Sequence, residues 1–267
     1  MRKIVLILTF FTVMTNVSAQ ECEYTEYYPL VTAAATDYDN KKYKAAEEKL
    51  KLAFTKTTFP LGNDLHLALR VAQKRKDAAW AEEIAIKLAK GGVPLRYFGN
   101  LKTFEWYDIF KADFINYAHY YKENYNPEVR EELISLLERD RAFNSKFHEW
   151  RTREIEMTLE ELIDGATKIF TDFKKLTDTH GFPNERLMGY NYVRRKNSVE
   201  YYPIDALMIH TYQRGELLFK DEIQNIVCEG GLHPNYVEIL KKIRGFGDST
   251  GIEQEMKARY AKYRGNE

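Results

Sequence analysis

The sequence predicts an all-α fold, on three observations. Apolar residues recur at three- and four-residue steps along most of the chain, no convincing run of strict alternation appears, and Gly and Pro fall where the periodic runs stop.

Met1, Arg2 and Lys3 precede an apolar run from Ile4 to Val13, followed by Asn16-Val17-Ser18-Ala19 and Gln20. A positive start, a short apolar stretch and a small-x-small site form a secretory signal, residues 1–19, cleaved after Ala19. The run is too short to span a bilayer unaided, which takes about 20 apolar residues, and no later segment comes close. The expected mature chain is Gln20–Glu267, exported to the periplasm or outside the cell, with no integral membrane segment. Lipidation at Cys22 is the competing reading. Glu21, where a small residue is wanted, argues against it.

Without Arg2 and Lys3, the 40 basic residues become 38 against 40 acidic ones, with the signs interspersed. This gives no polyanion-binding surface, and no nucleic-acid partner is expected. Cys22 and Cys228 are the two cysteines. In an oxidising compartment they either pair or remain two thiols, and spacing alone does not choose. A bridge would close a long loop, which the chain-entropy model values at up to roughly 5 kcal/mol.

Along the chain, Lys41–Lys56 places Tyr43, Ala46, Leu50 and Ala53 on one face. After the breaker Pro60-Leu61-Gly62, Asn63–Arg75 carries Leu65, Leu69 and Ala72 in register. Ala78–Lys90 repeats the pattern through Ala81, Ile84, Ala85 and Leu88, and stops at Gly91-Gly92 with Pro94 beyond. Asp37–Lys90 thus reads as paired short helices in which Ala permits close approach. With Tyr43-x-x-Ala46 and, 37 residues on, Trp80, it resembles the tetratricopeptide repeat, a helix-turn-helix unit of about 34 residues. An ordinary helical bundle is the alternative.

Tyr97–Tyr125 is rich in aromatics, and Phe110, Phe114, Tyr117 and Tyr121 step as the buried stripe of a helix. Asn126-Pro127 then opens a new helix, with Pro at its first position and Glu128 in its first turn. The boundary between a helical array, residues 20–125, and a helical C-terminal domain, residues 126–267, is placed here. The helix Pro127–Trp150 has an apolar face of Val129, Leu133, Leu136, Phe143 and Phe147, interrupted by Asp140. A carboxylate in an apolar stripe needs a partner or a wet cleft. A second long helix, Ile155–Asp178, stops at His180-Gly181-Phe182-Pro183.

That corner, with Gly189, Leu207-Met208-Ile209-His210, and Glu229-Gly230-Gly231-Leu232 leading to Tyr236, resembles a bacterial family called domain of unknown function 6624. The family shows an Asp followed by a basic residue on an early helix, matched by Asp140-Arg141, and a His on a later one, matched by His210. The resemblance covers Leu133 to Gly247 and implies no activity.

Gly181, Pro183 and Gly189 read as a structural corner: Gly181 takes the positive φ that ends a helix and Pro183 prevents its continuation. The functional alternative is that Asp140, His180 and His210 converge between helices as a general acid–base site or a metal site. No His-Glu-x-x-His, no Gly-x-Ser-x-Gly elbow and no phosphate-cradling glycine loop occurs, so neither metal nor cofactor is expected. His233, before Pro234, reads as a helix-start residue. The pairs Tyr27-Tyr28, Tyr120-Tyr121 and Tyr201-Tyr202 read as packing residues with wet hydroxyls, against a stacking surface for sugar or peptide.

Two functions remain. One is an exported module whose array binds a protein or peptide partner. The other is a hydrolase-like enzyme using Asp140, His180 and His210.

Overall fold

The computed structural model describes residues 22–244 and 247–265. The signal segment and its cleavage site after Ala19 lie outside them. The described chain is all-α, with thirteen α-helices, one 3-10 helix and a single two-stranded hairpin.

Four helices open it: α1 (Tyr24–Asp39), α2 (Tyr43–Phe54), α3 (Gly62–Arg75) and α4 (Ala78–Lys90). Each packs on the next as consecutive helical hairpins. The contacts are close because Ala46, Ala53, Ala68, Ala72, Ala81, Ala85 and Ala89 are buried in them. The Asp77 carboxylate caps α4 by accepting from the Trp80 amide at 3.1 Å. The aromatic stretch is not one helix. After the 3-10 helix Leu95–Leu101, it divides at Asp113 into α5 (Tyr107–Ala112) and α6 (Phe114–Asn124). Phe110 is buried, whereas Phe114, Tyr117 and Tyr121 are only partly covered.

In the second half, α7 (Pro127–Arg151) lies on α8 (Leu159–His180). Asn126 caps α7 through the Val129 amide at 3.1 Å. Thr158 and Glu161 form a reciprocal capping box on α8, which therefore starts four residues later than Ile155. The remaining elements are α9 (Glu185–Met188), β1 (Asn191–Val193), β2 (Ser198–Glu200), α10 (Ile204–Gln213), α11 (Ile223–Cys228), α12 (Asn235–Arg244) and α13 (Ile252–Arg264). The corner residues Gly181 and Gly189 have φ of +76° and +77°.

Three apolar cores result. One joins α1 to α5, a second joins α7, α8 and α10 to α12, and a third gathers Trp150, Leu162, Ala166, Ile252 and Met256. The antiparallel β1–β2 hairpin crosses the boundary: Tyr190 and Val199, from the second half of the chain, are buried in the first core. The Tyr190 amide donates to the Gly91 carbonyl at 2.8 Å, and its ring fills the space beside Gly62 and Gly91 where a Cβ would stand. A second tie is covalent, because Cys22 and Cys228 form a disulfide. No helix among the described residues is long and apolar enough to cross a membrane.

Candidate functional site

Helical spacing of three and four puts Asp140, Phe143, Asn144, Phe147, His148 and Arg151 along one side of α7. Against it, α10 brings His210, and Arg214 follows four residues later at its C-terminal cap. Asp140 is 3 % exposed and receives three partners. The His210 Nδ1 lies 2.6 Å from Oδ2, the Arg214 Nη1 lies 2.8 Å from Oδ1, and the Asn144 Nδ2 lies 3.2 Å from Oδ2. The Arg214 contact is a charge pair out of hydrogen-bond alignment, since Oδ1 accepts no aligned hydrogen bond. Asn144 Oδ1 accepts from Arg214 Nη2 at 3.0 Å, which closes the network.

His210 Nδ1 stands 2.6 Å from Asp140 Oδ2, an acceptor, and 2.6 Å from Asn144 Nδ2, a donor, so the two contacts call for opposite tautomers of the ring. The histidine side chain is 27 % exposed. Burial lowers the Arg214 guanidinium from its ordinary value, and the Asp140 charge opposes that shift. The ring of Phe143, 4.9 Å away, covers the guanidinium plane.

Beside this network lies a cleft of about 270 Å³ between α7, the end of α10 and α13. Arg151, Arg214, Arg259 and His148 line it, together with Asn144 and Gln213, and none of its lining residues is acidic. Arg259 is held by Glu255 at 2.9 Å and by the Gln213 carbonyl at 2.7 Å. Arg151 contacts His148 at 3.0 Å and has no carboxylate partner among the described residues. His210 does not line the cleft and touches it through Asn144.

Of the three residues singled out by sequence, Asp140 and His210 meet and His180 does not. His180 is exposed in the last turn of α8, beyond Leu176 and Thr177, the last residues of that helix to be buried. Asn144 and Arg214 take the places beside Asp140 instead. Both were within reach of spacing, since Asn144 follows Asp140 by four residues and Arg214 follows His210 by four. Gly181, Pro183 and Gly189 stand at the helix ends. The Gly181 amide donates to the Thr177 carbonyl at 2.9 Å. His233 starts α12, its Nδ1 accepting from the Asn235 amide at 3.2 Å.

Tyr27, Tyr121 and Tyr201 depart from the expectation of wet hydroxyls, whereas Tyr120 is exposed. Tyr27 and Tyr201 both donate to Asp64, each at 2.7 Å, from opposite halves of the chain. Asp64 is buried in the first turn of α3, and burial raises its carboxyl to about 6. Among the described residues no group of three or more His, Cys, Asp or Glu side chains is disposed to hold a metal ion.

No protein-family model matches the chain, and neither does any curated protein or solved structure.

Proposed function

We propose that this is an exported binding protein that takes an anionic group of a protein or peptide partner into the arginine-lined cleft. The observation that carries the reading is the cleft itself: three arginines and a histidine around about 270 Å³, with no acidic lining residue. The planar guanidinium fork suits carboxylate and phosphate oxygens. Arg214 is set in orientation by Asp140 and Asn144, which reduces the ordering cost of binding. Export is supported by the disulfide, a bond of oxidising compartments. In this reading the hairpins α1–α2 and α3–α4 are the repeat-like array, and Asp140-Arg141 and His210 stand for two motif elements of the family that the C-terminal half resembles.

Calorimetry with the disulfide-bonded chain tests it, using a short peptide rich in Glu and its Gln counterpart, with phosphate as a third probe. The acidic peptide or phosphate binds, the Gln peptide does not, and the double variant R151Q/R259Q weakens the interaction tenfold or more. Equal binding by the variant, or no binding of either anion, rejects the reading.

A second reading has its own observation, the carboxylate–histidine pair of Asp140 Oδ2 and His210 Nδ1 at 2.6 Å, on a part-exposed ring. A histidine so held is a general base. Ester, amide and phosphoester reporters would then be turned over by the wild-type chain and not by H210N. Equal rates in the two chains remove this reading and leave the first untouched.

A further inference from the structure

The three arginines of the cleft between α7, the end of α10 and α13 are not equivalent. Arg214 is 6 % exposed and faces Asp140, so it forms the back of the cleft. Arg259 is part-exposed and already paired with Glu255. Arg151 is exposed, contacts His148, and has no carboxylate partner among the described residues. Two of the three guanidinium charges are thus met by carboxylates of the chain itself, and the one left over is that of Arg151. A single carboxylate balances it. A phosphate monoester brings about 1.5 to 2 negative charges near neutral pH and overshoots.

The cleft also has an apolar side, set beside the cations. Phe143 and Phe147, one turn apart on α7 and both part-exposed, belong to its lining. The Arg214 guanidinium lies 4.9 Å from the centre of the Phe143 ring, and that of Arg259 lies 5.6 Å from the centre of the Phe147 ring. Stacking of this kind fixes the planar group while leaving its N–H edge for a ligand. Met256, buried, closes the wall behind. A ligand oxygen that reaches the Arg259 edge therefore brings whatever carries it against an aromatic ring. Gln213, exposed on the same lining, adds a carboxamide that both donates and accepts.

These features separate two kinds of peptide carboxylate. A Glu or Asp side chain presents its carboxylate at the end of an arm and brings no apolar group beyond it. A peptide C-terminus carries the carboxylate, the last side chain and an amide nitrogen on one carbon atom. The size agrees with a terminal residue: about 270 Å³ lies just under the roughly 300–1,000 Å³ of ordinary small-molecule pockets. We infer that the cleft receives the C-terminal carboxylate of a peptide whose last residue is apolar. The carboxylate meets Arg151 and Arg259, the last side chain lies against Phe143 and Phe147, and the amide N–H meets Gln213. This rests on the anion-binding reading of the cleft and narrows it to one kind of anion.

Isothermal titration of the disulfide-bonded chain with four acetylated tripeptides decides it. They are Ala-Ala-Leu with a free C-terminus, the same peptide as its C-terminal amide, Ala-Ala-Ser with a free C-terminus, and Ala-Ala-Glu as its amide. The Leu acid is expected to bind tightest and its amide at least tenfold more weakly. The Ser acid is expected to be weaker by about fivefold or more, through the lost apolar contact. R151Q, a change at an exposed position, is expected to raise the dissociation constant of the Leu acid tenfold or more. Equal affinity for the Leu acid and its amide, equal affinity for the Leu and Ser acids, or unchanged affinity in R151Q overturns the inference. A Glu amide that binds as tightly as the Leu acid overturns it too, while leaving the broader anion-binding reading in place. Failure of all four peptides to bind removes the inference, and titration with phosphate then decides the broader reading alone.

Discussion

Glu185 Oε2 accepts the backbone N–H of Gly62 at 2.6 Å, across 123 residues of chain. A side chain from the C-terminal half therefore caps the first turn of α3, a helix whose own preceding residue is Leu61, which offers no side-chain cap. Replacing Glu185 with Ala leaves that amide buried and unpaired. E185A is expected to lose about 1–2 kcal/mol in urea unfolding, and E185Q less than half as much.

The same contact sets a pH dependence. Burial raises Glu185 from 4.5 to about 8 and Asp64 from 3.8 to about 6. A carboxyl whose folded value is raised contributes stability at low pH and loses it as pH climbs through that value. His66, lowered by burial from 6.5 to about 4, acts with the opposite slope and below pH 6.5. Between pH 6.5 and 8 the fall is therefore expected to come from Glu185, at about 2 kcal/mol. Urea midpoints in an amine-free buffer should decline across that window for the wild type and stay level for E185Q.

Asp140 and Arg214 are both nearly fully buried, so removing one strands the other. D140A and R214A are each expected to cost about 3–5 kcal/mol. H210A should cost less than half of that, because its ring is part-exposed. Equal destabilisation of all three in denaturant titrations would contradict the network.

The two corner glycines separate strain from crowding. Both adopt a positive φ that side chains rarely take, but a Cβ at Gly181 meets nothing within 4 Å, whereas one at Gly189 comes 2.5 Å from the Gly91 carbonyl. G181A is expected to cost about 1–3 kcal/mol, and G189A clearly more, read as the drop in Tm.

The helices that could be read from sequence are those whose stability is written locally. Ala78–Lys90 begins at a capping Asp and ends at paired glycines, and its bounds agree with the periodicity. Helix α1 was invisible because Pro29 lies inside it, where proline ordinarily ends a helix. The β1–β2 hairpin, with three residues per strand, is too short to show alternation, and its stability comes from Tyr190 and Val199 in the first core. Asp140 declared itself as a polar residue in an apolar stripe, and its partner His210 was found with it. Glu185 and Asp64 gave no such signal. Glu185 sits in a four-residue helix and Asp64 in the ordinary acidic first turn of another, so their burial arises only when the two halves close together.

The disulfide gives the chain the connectivity of a ring. Cys22 and Cys228 lie 206 residues apart, so nearly the whole described protein is enclosed by one covalent circuit. A protease cut in the Asn124–Asn126 connection would open that circuit without parting the pieces. On a gel the nicked molecule should run as one species until a thiol is added, and only then as two.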